Sequence, residues 1–223
     1  VPQITENSLA KEKIRESIWE LLVNRGVARF PGAFGRIPNF VGAEAAALRA
    51  SSLPEFKKAR FIVVNPDSPQ FPLRVKALEA GKVIFMAAPK LKSPKPFFRL
   101  DPRQLRVHPL RAATIKGALR YGVAVDLEDI PPVDLFVTGC VAVTITGKRL
   151  GKGGGFADRE YALLVNKKLI KPSTPVLTTV HPLQIVKDLP QDEHDLQVDI
   201  IVTPKDICYT QPKDGVKNLN CFT

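Results

Sequence analysis

The sequence predicts an α/β domain built on a mainly parallel sheet that is covered on both faces. Three observations carry this. Short apolar runs, Phe61-Ile62-Val63-Val64, Val83-Ile84-Phe85-Met86, Leu135-Phe136-Val137, Val176 to Val180 and Val198 to Val202, alternate with helical stretches, the pattern of βαβ units. The runs are continuous rather than alternating apolar and polar, as in strands buried on both sides. Hydrophobic residues make up 44% of the 223-residue chain, enough to bury a core.

The elements follow in order. Ser8 to Asn24 reads as an amphipathic helix, with Ile14, Ile18, Leu21 and Leu22 at helical spacing and Gly26 as its stop. Phe30 to Phe40 is broken by Gly and Pro and reads as loop. Ala43 to Ala50 is a short Ala-rich helix, and the strand at Phe61 closes at Asn65-Pro66. Leu73 to Ala80 is a helix stopped by Gly81. The strand at Val83 follows, and Lys90 to Pro102, basic and Pro-punctuated, reads as an exposed loop. Ala112 to Tyr121 is a helix ending at Gly122, and Val141 to Val143 continues or restarts the strand at Leu135. Ala157 to Lys167 is the last helix, and Gln211 to Thr223 is a polar tail. No repeat or long linker divides residues 1–223, so a single domain is expected.

Lys plus Arg is 33 and Asp plus Glu is 22, a net charge of 33 − 22 = +11. Such a chain meets anions: nucleic acid, nucleotide or an acidic small molecule. No apolar run reaches the roughly 18–20 residues of a membrane span. The first residues carry no apolar signal segment, so a cytoplasmic location is expected. Cys140, Cys208 and Cys221 make no Cys-x-x-Cys pair and no zinc set with the three histidines. Cys140, in an apolar strand, reads as buried and inert.

The most informative stretch is Gly147-Lys148-Arg149-Leu150-Gly151-Lys152-Gly153-Gly154-Gly155-Phe156-Ala157-Asp158, between a strand and a helix. Gly151, Gly153, Gly154 and Gly155 let a backbone approach a ligand closely. The helix that follows offers unpaired N–H groups and a positive dipole end, which suits phosphate. Lys148, Arg149 and Lys152 add charge, and Asp158 could hold a magnesium ion bridging phosphates. A P-loop is excluded because no Ser or Thr follows Lys152. A Gly-x-Gly-x-x-Gly fingerprint is excluded because Phe156 falls at its sixth position.

This stretch resembles the 5-formyltetrahydrofolate cyclo-ligase (methenyltetrahydrofolate synthetase) family, whose pattern is Arg-Leu-Gly-basic-Gly-Lys-Gly-Tyr-Tyr-Asp. Lys11-x-x-x-Arg15, Gly81-Lys82 and the block from Leu183-Gln184-Ile185-Val186 to Val198-Asp199 are similar to further family segments. Gly35 to Phe40 and Phe156-Ala157-Asp158-x-Glu160-Tyr161-Ala162 resemble its methenyltetrahydrofolate-synthase-domain-containing branch. The resemblance implies a three-layer α/β/α fold of the ribose-phosphate-isomerase/CoA-transferase type. It implies ATP- and Mg2+-dependent conversion of 5-formyltetrahydrofolate to 5,10-methenyltetrahydrofolate. Arg149, Lys152 and Asp158 would be catalytic, with Asp158 also the metal ligand. Lys11, Arg15, Gly151, Gly153, Gly154, Gly155 and Phe156 would bind ATP, and Phe40, Asp67 and Gln184 the folate.

Four positions depart from the family pattern. Gly154 replaces a loop Lys, Phe156 and Ala157 replace paired tyrosines, and Thr144 stands where an Asp is usual. They open a second reading, a nucleotide- or folate-binding protein with altered catalysis. A third, RNA binding, rests on the charge and the Lys90 to Lys95 run, and ranks last because no stacking aromatics are interleaved with it. His194-Asp195 suggests an acid–base pair. His108 and His181 each precede a proline and read as structural.

Overall fold

The computed structural model describes residues 6–88 and 95–210. Strand β1 (Phe61–Val64) lies inside an eight-stranded sheet. It pairs in parallel with β2 (Val83–Ala87) on one side and β5 (Leu135–Thr138) on the other. The parallel run continues through β8 (Val176–Thr179) to β10 (Ile200–Val202). Antiparallel strands finish both ends: β3 (Phe97–Leu100) and β4 (Val123–Val125) beyond β2, and β11 (Ile207–Tyr209) beyond β10.

Continuous apolar runs make sense in this sheet because both faces are covered. Ile62 and Val64 join one buried cluster with side chains of α2 (Ala43–Ser51), α3 (Pro54–Lys58), α4 (Phe71–Glu79), α5 (Pro109–Ala112) and α6 (Ile115–Tyr121). Val63 points to the other face and joins a second cluster with Leu164 of α7 (Phe156–Asn166). Helix α1 (Glu6–Asn24) packs Ile18, Trp19 and Leu22 against a smaller sheet, β7 (Arg149–Leu150), β6 (Ala142–Thr144) and β9 (Ile185–Val186).

Several sequence expectations are corrected. The stretch from Lys90 to Pro102 is not all loop: residues 89–94 lie outside the described residues, but Phe97–Leu100 forms β3. Phe97 and Leu100 are fully buried there, and the strand pairs with β2 through Ala87↔Phe97 and Ile84↔Leu100. The expected helix from Ala112 to Tyr121 is two helices. Thr114 caps the second through its hydroxyl, which accepts from Gly117 N at 2.8 Å. A side chain at Gly117 would meet the Arg111 carbonyl, so the two helices need glycine there. Of the two alternatives at Val141, the strand restarts, as β6, and crosses to the smaller sheet. The strand expected from Val198 begins only at Ile200, because Val198 N donates to Gly147 O and pins the β6–β7 hairpin. The tail from residue 211 lies outside the described residues.

Helix α4 stops as its sequence predicts. Gly81 has φ +75°, Gly81 N donates to Leu78 O, and Lys82 N donates to Ala77 O, the Schellman pattern. Lys82 then reaches back, its ammonium donating to Lys57 O and Ala59 O over the Phe56 ring. It fastens the end of α3 to the start of β2.

Candidate active site

A cavity of about 220 Å³ opens where β1, β2 and β5 end. Asn65, Pro66 and Asp67 follow β1, Ala87 and Ala88 end β2, and Gly139 follows β5. The chain leaves β1 toward β2 on one side and later returns as β5 on the other. The cavity therefore sits at the carboxyl ends of strands where the winding direction switches, the general ligand position of open α/β sheets.

Its polar wall comes from the glycine segment. Arg149 is placed by β7, whose pairing with β6 is set by the hairpin at Gly147 (φ +92°). Thr144, the departure from the family Asp, closes that hairpin: its Oγ1 accepts from Lys148 N at 3.1 Å. Gly151, Gly154 and Gly155 then line the cavity, followed by Phe156, Ala157 and Asp158 in the first turn of α7. Gly155 starts that helix at φ +57° with no side-chain cap, so the first-turn N–H groups stay available to an anion.

The Arg149 guanidinium is buried, donates to an Asp158 oxygen, and donates to Gly139 O at 3.2 Å and Leu196 O at 3.3 Å. The same Asp158 oxygen accepts from Leu196 N at 3.0 Å. Its other oxygen, Oδ2, takes no hydrogen bond among the described residues. Lys152 reaches across the cavity to Asp67, 3.3 Å away.

Lys11 and Arg15 stand behind the loop and do not line the cavity. Arg15 donates to Gly151 O at 2.8 Å and pairs with Glu12 at 2.6 Å, and Gly153 rests directly against its guanidinium. The Lys11 ammonium bonds Asp192 at 2.7 Å and Asp195 at 2.5 Å. Burial alone would lower its pKa, but these two carboxylates outweigh that and leave it raised. Lys148 pairs with Asp188 at 2.7 Å. Each of the five cations that sequence reasoning gathers around the loop thus has an acidic partner, and none is an isolated positive charge.

Two expected folate residues are not brought to the cavity. Phe40 is fully buried with Ala43 and Ala46, its ring edge-on to His181. Gln184 is buried, donating to Cys140 O at 2.9 Å and accepting from His181 N at 2.8 Å. His108 and His181 act as helix caps through Nδ1. Asp195 turns to Lys11 and Asp192 N rather than forming an acid–base pair with exposed His194.

Two polar residues that line the cavity, Asn65 and Glu160, and one that stands behind it, Arg74, escaped sequence reasoning as site residues. Glu160, one turn into α7, is buried, lines the cavity, and accepts from Asn65 Nδ2 at 2.5 Å. Burial, then the Asp67 charge, pushes its carboxyl up to about 8, against the pull of Asn65, Arg149 and Lys152. Arg74 is fully buried and donates to Asn65 O at 2.7 Å, Asp67 O at 2.9 Å and Ala113 O at 2.9 Å. It fixes the segment that presents Asn65 and Asp67. Opposite, the wall is apolar: Met86, Phe98, Ile115 and Leu119.

The sequence model of the 5-formyltetrahydrofolate cyclo-ligase family matches residues 7–204, nearly the whole of the described chain. The chain belongs to that family. It is similar to a methenyltetrahydrofolate synthase domain-containing protein of Mus musculus, 39% identical over 212 residues, 92% of this chain and 56% of that protein. The similarity to 5-formyltetrahydrofolate cyclo-ligase of Escherichia coli is 31% over 139 residues, 61% of this chain and 71% of that protein. The chain spans about half the length of the domain-containing relatives it matches. The solved structure of Aquifex aeolicus 5,10-methenyltetrahydrofolate synthetase shares the fold of this cyclo-ligase family member. Its TM-score is 0.60 at 22% identity, covering 96% of this chain and 99% of that one. No helix among the described residues is long and apolar enough to cross a membrane.

Proposed function

We propose that this chain converts 5-formyltetrahydrofolate to 5,10-methenyltetrahydrofolate at the expense of ATP. The observation that carries the reading is a single cavity with two unlike walls. One is a glycine loop leading into an open helix N-terminus, suited to phosphate. The other is apolar and suited to a flat ring. In the reaction, the γ-phosphoryl of ATP passes to the formyl oxygen and ADP leaves. The neighbouring folate nitrogen then attacks the activated carbon and loses its proton, and the C–O bond breaks to release phosphate.

The chain's own residues position these groups. The first-turn N–H groups of α7 and the ammonium of Lys152 face the phosphoryl being transferred. Arg149 holds Asp158 in place and lends the site its charge. The donor set fits a magnesium ion: Asp158 lines the cavity, and its Oδ1 takes the bonds from Arg149 and Leu196 N while Oδ2 stays unengaged. That suits an ion that draws most of its ligands from phosphates and water. Asp158 would hold it, and it would neutralise phosphate charge. Lys11 and Arg15 support the loop from behind.

Purified protein mixed with ATP, Mg2+ and 5-formyltetrahydrofolate is expected to form the methenyl product, followed by its absorbance. No product at high enzyme concentration overturns the reading. A second reading, binding without turnover, is favoured by one observation: the Phe156 ring fills the space above Gly154 where the family carries a lysine. It predicts nucleotide and folate binding without folate-dependent ADP release.

A further inference from the structure

The positive charge of the chain concentrates a second time, away from the cavity at the strand ends. The cations on and behind the glycine loop all have acidic partners. Residues 102–125 instead hold five cations and no Asp or Glu. Arg103 pairs with Asp101. Arg111, Lys116 and Arg120 make no ion pair and no side-chain hydrogen bond among the described residues. All three line one notch of about 480 Å³, together with Leu110, Thr114 and Tyr121. The notch shares no residue with the cavity. Helix α6 stands between the two, with Ile115 and Leu119 lining the cavity and Lys116 and Arg120 lining the notch.

Local structure forces these charges together. α5 and α6 meet so closely that a Cβ at Gly117 would lie 1.8 Å from Arg111 O. Thr114 fixes the junction: its hydroxyl donates to Arg111 O at 3.0 Å and accepts from Gly117 N at 2.8 Å. Lys116 and Arg120 stand four residues apart on one side of α6, a like-charge spacing that destabilises a helix. The Arg120 guanidinium lies over the Tyr121 ring at 5.4 Å. An anion in the notch would relieve the repulsion that this junction builds in.

We propose that the α5–α6 notch binds a small soluble anion carrying two or more phosphoryl groups, at a site separate from the cavity. Two guanidinium forks match phosphoryl oxygens bidentately, and the Lys116 ammonium adds a point charge. Three cations match the charge of a di- or triphosphate better than that of a single phosphate. The notch is concave and bounded by two short helices, which suits a compact ligand rather than an extended phosphate backbone.

The test reads this site alone. Inorganic triphosphate is titrated at low ionic strength while hydrogen exchange is followed at the amides of residues 111–121. Three proteins are compared: wild type, Arg111→Gln/Lys116→Gln/Arg120→Gln, and a charge-matched control, Lys57→Gln/Lys58→Gln/Lys171→Gln. All six positions are exposed, so neither variant disturbs the core. Triphosphate should slow exchange at 111–121 in the wild type, and added salt should weaken the effect. Apparent affinity should fall roughly 10-fold or more in the notch variant and stay within about twofold in the control. No protection at 111–121 in the wild type overturns the proposal. Equal losses in the two variants also overturn it, because net charge alone would then explain the binding. A single-stranded oligonucleotide and phosphatidylserine vesicles are titrated in parallel. If either protects 111–121 through these three cations while triphosphate does not, the small-anion assignment is overturned.

Discussion

The ring of Phe156 occupies the space that any side chain at Gly154 would need. A Cβ built on Gly154 would lie 2.3 Å from Phe156 Cε2, closer than real Cβ contacts come. The Arg159 guanidinium lies over the ring at 4.9 Å and also donates to Gly154 O at 2.7 Å. The two departures from the family loop are therefore coupled: a lysine at 154 and this placement of Phe156 exclude each other. Gly154→Lys alone is expected to weaken ADP binding, because the displaced ring disturbs the first turn of α7. Gly154→Lys combined with Phe156→Ala should recover affinity. Titration of ADP against the single and double variants checks this, and additive effects would refute the coupling.

The buried pair of Arg149 and Asp158 makes a different prediction. The Arg149 side chain is 2% exposed, and Asp158 supplies the charge that compensates it. Asp158→Asn should cost about 3 kcal/mol, because one ion is left buried without its partner. For a domain of this size that is a fall of about 6–12 °C in thermal midpoint. Adding Arg149→Met should return part of the loss, whereas turnover should stay absent in both. A thermal midpoint unchanged in Asp158→Asn would contradict the ion-pair argument.

Arg74 donates to three carbonyls, at Asn65, Asp67 and Ala113, and of these Asp67 O also accepts from Gln70 N at 3.2 Å. Full burial pulls its guanidinium down to about 10, still charged at neutral pH. Arg74→Met should cost about 3–5 kcal/mol by leaving buried acceptors unpaired. Arg74→Lys should rescue little, because one ammonium cannot span the fork that the guanidinium presents. Chemical denaturation of both variants tests this.

The sheet was readable because its strands carry their own signal. β1 and β2 are continuous apolar runs, β5 and β8 open on apolar residues and close on threonine, and the helices between them end at residues such as Gly81 whose stop is local. β3 was obscured because its buried Phe97 and Leu100 sit in a basic, proline-rich context. β7 and β9 are two-residue strands, too short for any periodicity. At the site, the glycine loop and Asp158 were legible since their chemistry lies in one contiguous stretch. Arg74, Asn65 and Glu160 were not, because their roles arise only when distant elements meet. A charged residue on a helix reads as solvated until the fold shows what covers it. The cations illustrate the converse: their signs were legible, but their partners, such as Asp192, Asp195 and Asp188, come from a distant segment.

Cys140 is 1% exposed and its thiol is pushed up to about 11 by burial, against the hydrogen bond with Thr178. At pH 8 roughly one molecule in a thousand carries the thiolate, the nucleophilic form. Native protein should therefore show no alkylation of the Cys140 peptide by iodoacetamide at pH 8, and full alkylation once denatured. Peptide-resolved mass spectrometry reads both. Rapid labelling of the native protein would mean that the strand end at Gly139 opens readily.

Lys11 clamps α1 to the segment carrying Asp192 and Asp195, and that segment donates Leu196 N to Asp158. The clamp thus runs from the first helix to the proposed phosphate site through two hydrogen-bonded steps. Asp192 is held below the ordinary carboxylate range by the bond from Lys11 first and Asn7 second. A lowered carboxylate stabilises the fold above its unfolded pKa near 3.8, and that stabilisation is lost as pH falls through the lowered folded value. Lys11→Met should therefore lower the thermal midpoint at pH 6 and speed hydrogen exchange at the Leu196 amide. The gap to wild type should shrink on acidification below the ordinary carboxylate range, where the wild type loses the same interaction by protonation. A gap that stays constant with pH would show that Lys11 acts by packing its stem and not through the carboxylates.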